Sequence, residues 1–179
     1  MWEETVFFTN LETNRLYLQN ISPAHRYFIY ALFTNDDVLR FHYEEDRLTD
    51  LYGADAEIAE YNQPEPRSQN NWILVRKTDG VAMGVCVINN WDRSSAFCEI
   101  HYDMHPDLWG KGYMTEAIQA ILGFARDEMK VRCVEIGMDQ ENINSIKLVE
   151  RLGFEYHGQT IEDTHGGKVC HDRIYRFYF

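Results

Sequence analysis

Apolar and polar positions along this chain recur with two periods, and their order predicts a sheet flanked by helices. Between Thr13 and Ile21, Leu16 and Leu18 alternate with Arg15, Tyr17 and Gln19, the pattern of a half-buried strand. Ser22 at the N-cap and Pro23 at the first helical position open a helix predicted from Ala24 to about Thr34, with Tyr27, Phe28, Ala31 and Leu32 on one stripe. Asp36 and Asp37 begin a shorter helical piece through Val38, Leu39 and Phe41. From Asp50 to Tyr61, Leu51, Ala54, Ile58 and Tyr61 recur at helical spacing. Gln63-Pro64-Glu65-Pro66 then reads as a mobile loop.

The second half carries most of the strands. Trp72 to Arg76 and Val81 to Ile88, joined by Thr78-Asp79-Gly80, predict an antiparallel hairpin. In the next strand, Ala96 to Met104, one face carries Cys98, Ile100, Tyr102 and Met104, and the other Phe97, Glu99, His101 and Asp103. The clearest helix follows, with Met114, Ala117, Ile118, Ile121, Leu122, Ala125 and Met129 on one stripe. Val131 to Met138 is a strand, and its order after strand and helix implies a right-handed crossover and parallel pairing. Asn142 caps a helix with Ser145, Leu148, Val149 and Leu152 on one side, stopped by Gly153. Phe154 to Asp163 and Lys168 to Tyr178, joined through His165-Gly166-Gly167, close the chain as a hairpin. The fold class is therefore α/β in the α+β sense: a mixed sheet with one parallel junction, at whose strand ends ligands favour binding.

Composition narrows the picture. A chain of 179 residues that is 45% hydrophobic suits one domain spanning residues 1–179. Glu3 and Glu4 replace the basic start of a signal peptide, and Val6, Phe7 and Phe8 are too few to span a membrane, so a cytoplasmic protein with no membrane partner is expected. Cys86, Cys98, Cys133 and Cys170 stand singly, which suits reduced core thiols and argues against a metal site or disulfide framework. A net charge of −12 argues against nucleic acid as a partner and would steer a cation inward, although solubility alone explains it equally well. A monomer and a homodimer both remain open.

The stretch Trp109-Gly110-Lys111-Gly112-Tyr113-Met114-Thr115-Glu116-Ala117 leads from a strand into the clearest helix. Glycines on either side of Lys111 let backbone N–H groups turn toward an anion, and the helix adds its open N–H groups and positive dipole end. A glycine pair before a helix also serves as a plain turn and cap. A P-loop is excluded because Gly112 follows Lys111, and a dinucleotide fingerprint because Thr115 stands where a third glycine is needed.

The run from Glu99 to Ala117, with Asn142-Ile143-Asn144-Ser145 and Glu150-Arg151-Leu152-Gly153-Phe154, resembles the GNAT acetyltransferases, and within them the RimJ/RimL-like branch. The resemblance implies a mostly antiparallel twisted sheet with helices on both faces and the parallel junction at a CoA site. It further implies acetyl transfer from acetyl-CoA, the co-substrate, to an amine: a basic protein N-terminus or a small cationic molecule such as a polyamine or aminoglycoside. Trp109, Gly110, Lys111, Gly112, Tyr113, Met114 and Thr115 would hold the pyrophosphate. Met104 would run beside the pantetheine arm, and Asn142, Ser145 and Lys147 would border it.

Transfer to an amine requires a base, and Glu99 is the first candidate, ahead of His101; either is otherwise a locally paired strand residue. Asp103 suits cation binding or a turn cap better than base chemistry. A backbone N–H near Met104 would meet the thioester oxygen as it gains charge. The resemblance implies a tyrosine acid where Val149 stands, so Ser145 is its natural substitute as donor to the leaving thiolate, unless it only caps its helix. His101 and Met114 also depart from the family pattern. Lys111, Lys147 and Arg151 are candidate phosphate contacts, and Tyr27, Phe28 and Tyr30 candidate walls of the acceptor pocket. With no cysteine placed as a nucleophile, direct attack in a ternary complex is expected; the vacancy left by Val149 keeps open a non-catalytic acyl-CoA sensor or scaffold.

Overall fold

The computed structural model describes residues 6–43, 46–163 and 169–179; Glu3, Glu4 and the predicted His165-Gly166-Gly167 connection lie outside them. Its strands are β1 (Leu11–Glu12), β2 (Leu16–Asn20), β3 (Asn70–Arg76), β4 (Ala82–Asp92), β5 (Phe97–Met104), β6 (Cys133–Asp139), β7 (Glu155–Asp163) and β8 (Val169–Tyr178). They form one sheet in the order β1-β2-β3-β4-β5-β6-β8-β7. Every neighbouring pair is antiparallel except β5 and β6, which run parallel. The crossover between those two is helix α3, named below, as the strand, helix, strand order requires.

The helices are α1 (Arg26–Leu32), α2 (Leu51–Tyr61), α3 (Tyr113–Asp127) and α4 (Ile143–Arg151). They divide between the sheet's two faces because each strand alternates its side chains. On one face Leu16, Leu18, Trp72, Leu74, Cys86, Ile88, Cys98, Ile100 and Met104 form a core with α3 and with Ile146 and Val149 of α4. All seven apolar positions predicted for the long helix stripe are buried. On the other face Ile73, Val75, Val85 and Val87 meet Ile29 and Leu32 of α1 and Ala54, Ile58 and Tyr61 of α2. Glu99, His101 and Asp103 lie on this second face, since they stand opposite Asn89, Val87 and Val85.

Three predicted elements are corrected. The strand expected from Thr13 begins at Leu16, because Thr13 forms a turn in which its Oγ1 accepts the Leu16 N–H at 3.0 Å. The helix expected from Ala24 opens as a 3₁₀ turn over Pro23–His25, which ends where α1 starts at Arg26. Packing of α1 against α2 and the sheet buries Ile29 and Leu32, while Tyr27 is 72% exposed and Ala31 also faces outward. The Gln63–Pro66 segment is anchored: Glu65 accepts the Phe8 N–H at 3.0 Å, and Arg67 donates to the Tyr61 carbonyl at 2.5 Å.

Gly84 sits where β4 passes under the end of β5, opposite Met104. A Cβ there would press into the Asp103 carbonyl oxygen, with the Met104 Cα only 3.0 Å away. Gly84→Ala is therefore expected to destabilise the chain by about 1–3 kcal/mol, the usual cost of overpacking, as read from the midpoint of denaturant unfolding. An unchanged midpoint would show that β5 yields at this point.

Candidate active site

The one parallel pairing in the sheet is short. Phe97, Cys98 and Glu99 of β5 pair with Cys133, Val134 and Glu135 of β6. Beyond them β5 continues against β4 as far as Met104, and β6 continues against β8 as far as Asp139. The two strands thus diverge toward their carboxyl ends and leave a wedge. The His105 N–H bonds to the Met83 carbonyl on the β4 side at 2.9 Å. Backbone direction alternates along a strand, so the N–H and C=O groups of Tyr102 and Met104 point into the wedge. Trp109 reaches back and donates its Nε1–H to the Met104 carbonyl at 2.7 Å, which leaves the Met104 N–H available at the wedge's mouth.

The glycine stretch stands at that mouth. Pro106–Leu108 forms a 3₁₀ turn, and Gly110 and Gly112 take left-handed conformations, at φ +72° and +77°, that L side chains rarely adopt. Gly112 is the N-cap of α3 and offers no side chain to its N–H groups. The Glu116 N–H bonds to the Gly112 carbonyl at 3.1 Å, but no acceptor among the described residues takes the N–H groups of Tyr113, Met114 or Thr115. Open donors at the end of a long helix fit a pyrophosphate.

One cation beside this cradle escaped the sequence reading. Arg15, 101 residues away from Glu116 in the chain, donates its Nε–H to Glu116 Oε2 at 2.6 Å and its Nη1–H to the Lys111 carbonyl at 3.0 Å. It lies over the Tyr113 ring, 4.4 Å from its centre. Thr13 also donates to Glu116. Burial works against ionisation of Glu116, but these hydrogen bonds hold its carboxyl below the ordinary value. Of the predicted phosphate contacts, Arg151 donates to Thr115 Oγ1 at 3.2 Å, whereas Lys111 turns its ammonium onto the Asp107 carbonyl at 2.7 Å. Lys147 is exposed on α4. At the wedge's other wall, Asn142 accepts the Ser145 N–H at 3.2 Å and so caps α4, which brings the Ser145 hydroxyl to the helix's first turn.

Glu99 and His101 lie on the opposite face of β5. Asn90 donates to Glu99 Oε2 at 3.0 Å, and His101 Nε2 lies 3.6 Å from the same oxygen. The interaction with His101 keeps the Glu99 carboxyl below its ordinary value against the effect of burial, with Asn90 assisting. Further along, Asp103 is bonded to His42 Nε2 at 2.8 Å, and Asp46 lies 3.4 Å from His42 Nδ1. Burial disfavours a charged imidazole, yet the bonds and charges of Asp103 and Asp46 outweigh it and raise His42 from 6.5 to about 10. Glu57, on the sheet-facing side of α2, is pushed from 4.5 to about 7 by burial and then by the charges of Glu60, Asp46 and Asp103. A glutamate three residues after Ala54 and four before Tyr61 lies beside the apolar stripe, and that placement was the available signal for it. Phe28 and Tyr30 pack against the second core and Tyr27 is exposed, so the predicted aromatic wall serves mainly to hold α1. Cys86 and Cys98 are buried free thiols, raised above the ordinary value by burial; the Cys170 side chain lies outside the described residues. No helix among the described residues is long and apolar enough to cross a membrane.

Comparison with known proteins agrees with this fold. Residues 15–155 match the family model described as acetyltransferase (GNAT) domain. An uncharacterised N-acetyltransferase, p20 of Bacillus licheniformis, is 35% identical over 86 residues, which are 48% of this chain and 48% of that protein, so the match spans about half of the relative's length. Among solved structures, RimL, a ribosomal L7/L12 α-N-protein acetyltransferase in complex with coenzyme A, superposes with a TM-score of 0.84 at 16% identity, covering 98% of each chain. The spermidine N-acetyltransferase of Vibrio cholerae, in complex with CoA and spermine, superposes with a TM-score of 0.81 at 15% identity, covering 93% of this chain and 96% of that one.

The His42 pairing makes stability depend on pH. The folded chain keeps a proton that the unfolded chain releases above about 6.5, so the contribution is fully present below that pH and is lost as pH rises through about 10. The difference in melting temperature between the protein and His42→Gln is expected to shrink steadily across that interval. A difference that stays constant from pH 6.5 to 10 would mean that His42 folds uncharged.

Proposed function

Since the chain belongs to the GNAT acetyltransferases, we propose that it moves the acetyl group of acetyl-CoA onto the amine of a cationic acceptor by direct attack in a ternary complex. The observation that carries this reading is the meeting of two unfilled backbone features at one place: the uncapped N-terminus of α3 and the mouth of the wedge between β5 and β6. The first suits a pyrophosphate held by the residues from Gly110 to Thr115, with Arg15 and Arg151 beside it. The second suits an extended arm whose amides pair with strand edges, as an added strand does. Met104, Asn142 and Ser145 border that arm, while Lys111 and Lys147 contribute positive charge in its neighbourhood.

In this reading an amine approaches from the face of α1 and α2. Glu99, held ionised at neutral pH, takes the amine's proton directly or through one water, and His101 adjusts the carboxylate's charge. The Met104 N–H meets the thioester oxygen as it gains charge, and Ser145 donates toward the sulfur as the C–S bond breaks. Support for a cationic acceptor comes from Glu57, Glu60, Asp46, Asp103 and Glu99, which gather around one face of the sheet in a chain of net charge −12. A polyamine, an aminoglycoside and a basic protein N-terminus share that chemistry, and acetylated amines are the products.

Incubation with acetyl-CoA, a panel of polyamines, aminoglycosides and N-terminal peptides, and a thiol reagent is expected to show acceptor-dependent release of free CoA. Tight CoA binding with no release for any acceptor would favour the sensor or scaffold. Glu99→Gln is expected to lower kcat by about a hundredfold or more while leaving the KM for acetyl-CoA within about twofold; an unaltered kcat would remove Glu99 from the mechanism. Glu57→Gln separates acceptor binding from folding. The raised carboxyl costs stability progressively as pH rises from 4.5 to about 7 and in full above that, so the variant should melt higher at pH 8 yet bind a polycationic acceptor about tenfold more weakly. Equal acceptor KM values would place the cation elsewhere.

A further inference from the structure

One carboxylate of the acceptor face already holds a cation, and the cation belongs to the protein. Asp103 is the acid of that face nearest along β5 to Met104, so an ammonium group bound to it would lie closest to the strand's open end. His42 is there instead. Its Nε2–H donates to Asp103 Oδ1 at 2.8 Å, and its Nδ1 lies 3.4 Å from Asp46 Oδ2. A carboxylate only accepts, so a ring that turns each nitrogen to a carboxylate carries both protons and a positive charge. Its value near 10 agrees with that. The pair is not sealed: the side chains of His42 and Asp103 keep 23% and 17% of their surface exposed, so a cation from solvent can reach the carboxylate. The floor of the same face is unfinished as well. Asn71, opposite Val87 on β4, is fully buried, and neither the oxygen nor the nitrogen of its carboxamide has a partner among the described residues. A buried amide left open marks a face that a polar guest completes.

We propose that His42 is a built-in competitor for the acceptor: an arriving ammonium group takes over Asp103 only by displacing the imidazole, so His42 sets how tightly a cationic acceptor binds. This rests on the acetyl-transfer reading above, which puts the acceptor on this face. No covalent bond changes; one ion pair replaces another. The exchange can proceed without unfolding because the loop that carries His42 is held by other bonds. The Leu48 N–H donates to the Phe33 carbonyl at 3.1 Å, and Arg47 donates to the Thr34 carbonyl at 3.1 Å and pairs with Asp36. Val38 of the same loop is buried in the core between the sheet and the helices α1 and α2. What His42 adds is a link from that loop to β5. A link made of charge gives way to another cation, where an apolar contact would not.

The probe is spermidine, its binding followed by calorimetry without acetyl-CoA, at neutral pH and low salt and below the melting temperature of every variant. His42→Gln is expected to bind it about tenfold more tightly than the unaltered protein, the gain fading in high salt as screening sets in. A histidine that only held its loop in place would give the opposite sign, so equal or weaker binding overturns the proposal. Arg40→Gln removes a positive charge from the same loop, but Arg40 is exposed and lies over the Phe41 ring. Its affinity should stay within about twofold of the unaltered protein; a gain equal to that of His42→Gln assigns the effect to net charge and overturns the proposal. In an Asp103→Asn background the further change His42→Gln should shift binding by no more than about twofold, and a tightening that persists in full shows that Asp103 is not the carboxylate at issue. Failure of spermidine to bind any of these proteins also overturns it. None of the readouts needs turnover. If the binding contrast appears but no acceptor is acetylated, the acetyl-transfer reading fails and the exchange at Asp103 stands; if acetylation proceeds without the contrast, the exchange alone fails.

Discussion

Backbone pairing given up between β5 and β6 is the constraint on which the rest of the site depends. Interior N–H and C=O groups are costly to leave unpaired, so a sheet parts its strands only where something else holds them. Here the holding is done from outside the wedge. β4 and β8 pair the outer edges of the two strands to their ends, and the buried stripe of α3 fixes the face behind them. Trp109 takes the Met104 carbonyl and so limits how much of the open edge is left without a partner. The wedge is therefore a rigid opening, and a rigid opening can position an extended ligand without first ordering itself.

The same geometry divides the chemistry between two faces. The side chains of β5 alternate, so Tyr102 and Met104 face α3 and α4 while Glu99, His101 and Asp103 face α1 and α2. Groups suited to sulfur and phosphate collect behind the sheet and groups suited to an amine in front. Only where β5 and β6 separate can atoms handled on the two faces meet. One strand with a period of two thus sets both the donor side and the acceptor side of the proposed transfer.

Much of this was legible in the sequence wherever a signal was local. The α3 stripe, the parallel junction and the glycine pair before a helix each depend on residues close together in the chain, and all three stand where the pattern puts them. What stayed hidden depends on distance in sequence. Arg15 reaches the cradle only because the turn at Thr13 is tied to Glu116 across the domain, and no spacing in the chain announces that bond. His42 meets Asp103 across 61 residues. The buried face of α1 is selected by its packing against α2 and the sheet, which takes Ile29 and Leu32, and apolar spacing within so short a helix fits a neighbouring stripe as well.

Charge on the acceptor face is finer than a cluster of acids. His42, raised to about 10, is an imidazolium at neutral pH and offsets the charges of Asp103 and Asp46 to which it is bonded. Glu57 is pushed to about 7 first by burial and then by the charges of Glu60, Asp46 and Asp103. An incoming ammonium group would favour the ionised form of Glu57 by the same Coulombic attraction that the carboxylate exerts on it. Binding of such a cation and release of the Glu57 proton would then favour each other, on a face that the surrounding carboxylates already make anionic.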